Sequence, residues 1–275
     1  MLGFLISNNM VCHATEAMIF ASIGCAILAV LITQMKISSI GFTMSHGAFA
    51  GAMVGVFCGI NMTMGALIGS FILACILGPL SEKSKMPVDT ILGVLFGLMM
   101  AIAIFFYTLM QQSGMSDPTT LLFGSVISLS RQDIYNLFII MAIVILFVIV
   151  FYKEISAMVF NRKIAEITGI KTKPIIYLSL FMIAVMVALT LPIVGGLLLY
   201  VWLVIPAAIA YQFSNTLKQM IFLAPILAAI ISLIGTSIAF YYNLPVAPFV
   251  AMLFAGIFTI SVFVSPKRQI AKLHQ

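Results

Sequence analysis

Residues 153–173, KEISAMVFNRKIAEITGIKTK, hold seven of the twenty charged residues of a 275-residue chain that is otherwise almost wholly apolar. With 63% hydrophobic and 7% charged residues and a mean hydropathy of +1.25, the chain has too few polar side chains to cover a globule. Lipid has to be its solvent, and this stretch is its one sizeable water-facing loop. Its centre, from Ile164 to Gly169, reads as a short helix closed by a C-terminal glycine, with Pro174 setting the entry into the next apolar run. Two readings of the loop stand side by side: a solvated connection between membrane helices, or a handle for a soluble partner.

A helix needs about 20 apolar residues to span a bilayer. Outward from the loop such runs fall at 15–35, 38–60, 62–80, 88–110, 134–152, 174–191, 197–213, 219–241 and 247–264. The spacing predicts an all-α, polytopic bundle of about nine spans in a single transmembrane domain over residues 1–275. Eight or ten remain open, because 174–191 and 197–213 are short and separated only by the turn at Pro192, Gly195 and Gly196.

Charge orients the spans. Placing Lys36, Lys83, Lys85, the 153–173 loop, Lys218 and the tail residues Lys267, Arg268 and Lys272 in the cytoplasm puts twelve of thirteen basic residues inside, with Arg131 outside. The N-terminus is then outside and the C-terminus inside. No Lys or Arg precedes Lys36, so the start lacks the charged region of a cleaved signal peptide and the first helix is expected to remain. The basic residues are spread between apolar segments, which excludes nucleic acid as a partner. Cys12, Cys25, Cys58 and Cys75 form no CxxC pair and read as packing residues.

Residues 117–133, DPTTLLFGSVISLSRQD, are too short to cross. Asp117 fits an N-cap with Pro118 at the first helical position, giving an outer-side half-helix, with an interfacial helix as the alternative. In the second span Gly47, Gly51, Gly55 and Gly59 recur every four residues, the pattern of a helix-packing face on which another backbone approaches closely. Gly65/Gly69 and Gly93/Gly97 repeat the spacing in the next two spans.

What is missing bounds the function. No charged residue lies in the middle third of any span, so the ionisable relay of an ion-coupled pump is not there, nor is a phosphate-binding loop for a nucleotide. Uphill transport would draw its energy from a separate subunit. His13 and His274 read as solvated. His46 lies inside the second span beside the glycines, where an imidazole must bond a neighbouring helix or line a wet cavity. The nineteen methionines show no Met-x-x-Met array and read as core filling.

The run MKISSIGFTMSHGAFAG resembles the first signature of the permease subunits of bacterial zinc, manganese and iron ATP-binding-cassette importers, in which a Met-Ser-Leu-Ile-Gly loop leads to an Asp-x-x-x-His motif. DTILGVLFG from Asp89, LLFGSVISLSRQD from Leu121, VGGLLLYVWLVIPAAIA from Val194 and YYNLPVAPFV from Tyr241 follow in the family's order, so the likeness covers nearly the whole chain. It implies the fold of the vitamin B12 and metal-type permeases in the cytoplasmic membrane of a prokaryote. It also implies a second copy of the chain, a cytoplasmic ATPase dimer that uses the ATP, and an extracytoplasmic metal-binding protein. By the same resemblance NRKIAEITGI is the coupling helix, with Arg162, Lys163, Glu166 and Gly169 carrying the ATPase contacts; the chain itself would bind no cofactor and catalyse nothing.

One departure affects the cargo. The family's aspartate one turn before the histidine is Phe42 here, so only His46 of the pair remains as a metal ligand. Losing the carboxylate oxygen tilts the expectation from manganese towards zinc, with Thr43 or Met53 as further donors. The other readings are an importer permease for a different ligand such as a metal chelate, or an ion-coupled transporter or channel, which the missing charges disfavour. A membrane-embedded enzyme would need a polar constellation that is absent.

Overall fold

The computed structural model describes residues 9–35, 37, 39–84, 86–112, 124 and 129–265. In chain order its helices are α1 (Asn9–Gln34), α2 (Ser39–Phe57), α3 (Met62–Lys83), α4 (Val88–Gln112), α5 (Arg131–Val150), α6 (Tyr152–Phe160), α7 (Arg162–Ile167), α8 (Thr172–Phe213), α9 (Leu217–Tyr241) and α10 (Val246–Val264). All but α6 and α7 are long and apolar enough to cross a membrane. Several hydroxyls in these helices return to carbonyls of the preceding turn, as with Thr15 on Val11 at 2.8 Å and Ser179 on Ile175 at 2.8 Å, which satisfies them where no water is at hand.

The 42-residue α8 is two passes rather than one. Gly195 sits inside it at φ 76°, ψ 166°, outside the helical region and open only to glycine without strain. Tyr177 and Leu180 line the same cavity as Ile40, while a Cβ on the adjacent Gly41 would lie 3.0 Å from Cβ of Leu203. On a straight helix Tyr177 and Leu203 would stand about 39 Å apart, so the chain reverses at Gly195. The long helix folds back across the bilayer, which brings the passes among the described residues to nine.

Helix α1 is the hub. Ala14, Ala17, Ala21, Ala26 and Ala29 are fully buried, and it packs against α5, α8 and α9. Its small side chains let long neighbours close in: a Cβ on Gly24 would meet the thioether of Met186. Helices α3, α4 and α10 turn large apolar residues such as Ile72, Val94, Phe105 and Met252 outward, as a lipid solvent requires.

The 117–133 segment is described only at Gly124 and from Leu129 onward, so the expected half-helix lies mostly outside the described residues. Its C-terminal end is corrected: Ser130 caps α5 in a reciprocal capping box with Asp133, so Arg131 and Asp133 open a spanning helix instead of closing a short one. Gly124, at φ 73°, lies against the reversal in α8, where a Cβ would run into Gly195 N and the Val194 carbonyl carbon.

Candidate functional sites

The first site is the α6–α7 hairpin. Asn161 ends α6 and caps α7, its Oδ1 accepting from the amides of Lys163 at 3.0 Å and Ile164 at 3.2 Å. That cap starts the helix at Arg162, two residues before the sequence reading placed it. At the other end Gly169 N–H donates to Glu166 O and Ile170 N–H to Ala165 O, the paired bonds of a Schellman stop, with Gly169 at φ 88°. Arg162 Nε reaches Glu166 Oε1 at 3.0 Å, and Thr172 donates to the same oxygen. The Thr172 hydroxyl first, and then the Arg162 guanidinium, hold the Glu166 carboxyl below its ordinary range.

This hairpin is closed on itself and open to its surroundings. Ala165 is buried and anchors α7, while Arg162, Lys163 and Glu166 are exposed and Phe160 and Ile167 are each 85% exposed. A capped, ion-paired one-turn-and-a-half helix that shows two large apolar side chains to water has the build of a docking surface.

The second site surrounds His46. Its Nδ1 lies 2.9 Å from the Phe42 carbonyl oxygen. A carbonyl can only accept, so Nδ1 carries the hydrogen and Nε2 keeps its lone pair in the neutral ring. The Ser45 hydroxyl donates to the same carbonyl at 2.8 Å. Aromatic rings close around the imidazole: Phe42 at 4.5 Å between centroids and Phe96 of α4 at 4.9 Å, with Phe42 in turn stacked on Phe96 at 4.4 Å and edge-on to Tyr200 of α8 at 4.9 Å. Between α2 and the second pass of α8 lies a cavity of about 340 Å³, to which His46, Phe42, Phe49, Leu197 and Tyr200 contribute walls.

The donors expected beside His46 are elsewhere. Thr43 is buried and does not line the cavity, donating to Ser39 O at 3.0 Å and Leu92 O at 3.1 Å. Met53 is fully buried and does not line the cavity. Among the described residues no three His, Cys, Asp or Glu are placed to hold one metal ion. Tyr200 and Phe96 were not singled out from sequence, because they come from other helices and no spacing ties them to His46.

The glycine face is a contact between α2 and α3. A Cβ on Gly51 would strike the Gly65 carbonyl oxygen and Gly69 Cα, one on Gly55 would meet Gly65 Cα at 2.9 Å, and one on Gly47 would meet the Leu73 side chain. Gly59 is a correction: it lies past the end of α2 at φ 75° with nothing within 4 Å, and stops the helix rather than packing it. Gly93 and Gly97 likewise meet nothing within 4 Å. Of the cysteines Cys25 is buried and Cys12 half-buried, whereas Cys58 and Cys75 are exposed rather than packed. His13 lies within α1 and lines a second cavity with Glu16, Arg131 and Tyr135; His274 is outside the described residues.

Among the described residues, nine apolar passes around a buried hub, with one capped helix projecting from a loop, define a polytopic membrane protein. The profile of the ABC 3 transport family matches residues 7–265, and the chain belongs to that family. It is similar to the manganese transport system membrane protein MntC of Halalkalibacterium halodurans, 28% identical over 264 residues that cover 96% of this chain and 90% of that protein. It is also similar to the high-affinity zinc uptake system membrane protein ZnuB of Haemophilus influenzae, 26% identical over 236 residues, 86% of this chain and 90% of that protein. The solved structure of PsaBC from Streptococcus pneumoniae in complex with Fab shares the fold, with a TM-score of 0.87 at 24% identity, covering all of this chain and 98% of that one.

Proposed function

We propose that this chain is the permease subunit of an ATP-binding-cassette importer for transition metal, working as a dimer in the cytoplasmic membrane of a prokaryote with the N-terminus outside. The observation that carries the reading is the α7 hairpin: a helix fixed at both ends by Asn161 and Gly169, braced by Glu166 and exposed at Arg162, Lys163 and Ile167. A rigid projection of this kind transmits a push, which is what a cytoplasmic ATPase needs from its membrane partner. The chain itself supplies no nucleotide loop and no ionisable relay within its passes.

A metal cargo follows from the named relatives, which do not separate manganese from zinc. Between the two metals the cavity tilts towards zinc, since an imidazole suits it better than manganese and, among the described residues, no carboxylate lines the cavity for a hard ion. Cargo delivered by an extracytoplasmic binding protein would enter on the side of Arg131 and leave on the side of α7.

The test is uptake by the purified permease with its ATPase and binding protein in liposomes. Accumulation of radioactive zinc or manganese that requires ATP on the α7 side supports the reading. Uptake driven by an ion gradient with no ATPase present would overturn it.

A further inference from the structure

The cavity beside His46 does not suit a bare divalent ion. Such an ion holds its water shell tightly and gives it up only for a comparable set of donors. The polar side chains lining this cavity are His46, Tyr200 and Ser45, whose hydroxyl is already engaged with the Phe42 carbonyl, and its other side chains, Phe42, Phe49, Leu197 and Val201, are apolar. His46 is held with Nδ1 on the Phe42 carbonyl, which orients the ring and leaves Nε2 with a lone pair and no hydrogen bond among the described residues. One strong ligand set in an aromatic box recognises a metal that arrives already wrapped.

Resting on the permease reading above, we propose that the cavity takes a metal chelate: a divalent metal carried by a small ligand with flat, aromatic or apolar faces and one coordination position left open. His46 Nε2 fills that position in exchange for a water, while the organic faces lie against Phe42 and Tyr200. The positive charge, spread over the ligand, sits against aromatic faces that attract it. About 340 Å³ is room for a small chelate and falls at the lower end of the range for small-molecule pockets. Phe42 is then a specificity-determining residue, since its ring both removes the oxygen a bare ion would use and supplies the wall a chelate needs.

The probe is zinc–dipicolylamine, whose two pyridine rings and amine leave a position on zinc open. Titration calorimetry on the tag-free permease in lipid nanodiscs, in buffer without phosphate, compares it with zinc ion alone. The chelate is expected to bind at least about tenfold more tightly than the ion. His46→Ala and the closer-fitting His46→Gln should each abolish that advantage, and Phe96→Ala should reduce it several-fold. Phe42→Asp should reverse the order, favouring the bare ion. Thermal unfolding of each variant shows that the bundle is intact, and if His46→Ala does not fold, the Gln and Phe42 variants decide.

Three results overturn the proposal: zinc ion binding as tightly as the chelate and losing affinity in His46→Gln, a chelate affinity unchanged in His46→Gln, or no binding of either probe. None of these touches the permease reading, which is judged by ATP-driven uptake in liposomes. Failure of that uptake alongside His46-dependent chelate binding would remove the importer and keep the site.

Discussion

The hydroxyl of Thr172 donates to Oε1 of Glu166, the same oxygen that Nε of Arg162 reaches at 3.0 Å. One carboxylate therefore ties the short α7 to the first turn of the spanning α8. Glu166→Ala should leave the thermal unfolding of the bundle nearly unchanged, because solvent screens this exposed pair. It should lower transport per ATP hydrolysed several-fold, measured in liposomes. Equal coupling in the variant would show that this brace is not used.

The same carboxyl sets a pH dependence. Its pKa is depressed in the folded chain by its two donors, so the brace is fully present above the ordinary carboxylate value of about 4.3 and fades as pH falls through the lower folded value. Coupling should be flat from neutral pH down to about 5. A loss of coupling between pH 7 and 6 that Glu166→Ala removes would contradict this assignment.

Reversing both exposed charges, Arg162→Glu with Lys163→Glu, should weaken binding of the ATPase by about tenfold or more, since like charges across a matched interface are costly. Both side chains are exposed, so the bundle itself should be unaffected. Pull-down of the ATPase with the purified variant gives the answer; undiminished capture with normal transport would remove α7 from the interface.

Glycine substitutions should divide by position. Gly51→Ala forces the α2 and α3 backbones apart, because its Cβ would strike Gly65 and Gly69, and should cost about 1–3 kcal/mol. Gly59→Ala meets no atom but holds a positive φ, costing about 1–2 kcal/mol. Gly93→Ala meets neither obstacle and should be neutral to slightly stabilising. Thermal unfolding of the three in one detergent checks the order.

Topology can be read with an impermeant thiol reagent on intact cells. Native Cys58, exposed just beyond α2, should be labelled from outside, and so should Tyr242→Cys between α9 and α10. Ile167→Cys on α7 should label only after the cells are opened. The reverse pattern would invert the orientation drawn from the twelve-to-one distribution of basic residues.

Much of the architecture could be read before any contact was known. Apolar run lengths gave the passes, including the two short ones that α8 joins, because bilayer thickness demands a minimum number of residues and Gly195 breaks the run locally. Asn161 and Gly169 bound α7 through bonds to amides and carbonyls only a few residues away, so the residue types carry the geometry with them. The 117–133 boundary moved for a local reason too: Ser130 and Asp133, three residues apart, satisfy each other's backbone amides and start α5 at Arg131.

What the sequence alone determined is what acts within a turn or two of the chain: solvent class, eight to ten passes, the glycine stop at Gly169 and the i, i+4 placement of Phe42 and His46. Only the tertiary structure decided that Phe96 and Tyr200 close on Phe42, that the Thr43 hydroxyl is taken up by the Leu92 carbonyl, and that a Cβ on Gly51 would strike a neighbouring backbone while one on Gly93 would meet nothing within 4 Å. A helix in lipid is apolar on every side, so its composition does not say which face meets a neighbour. That choice is made by backbone approach and side-chain fit between residues on different helices, from Gly51 and Gly65 to Phe42 and Tyr200, a free energy that exists only once the helices have met.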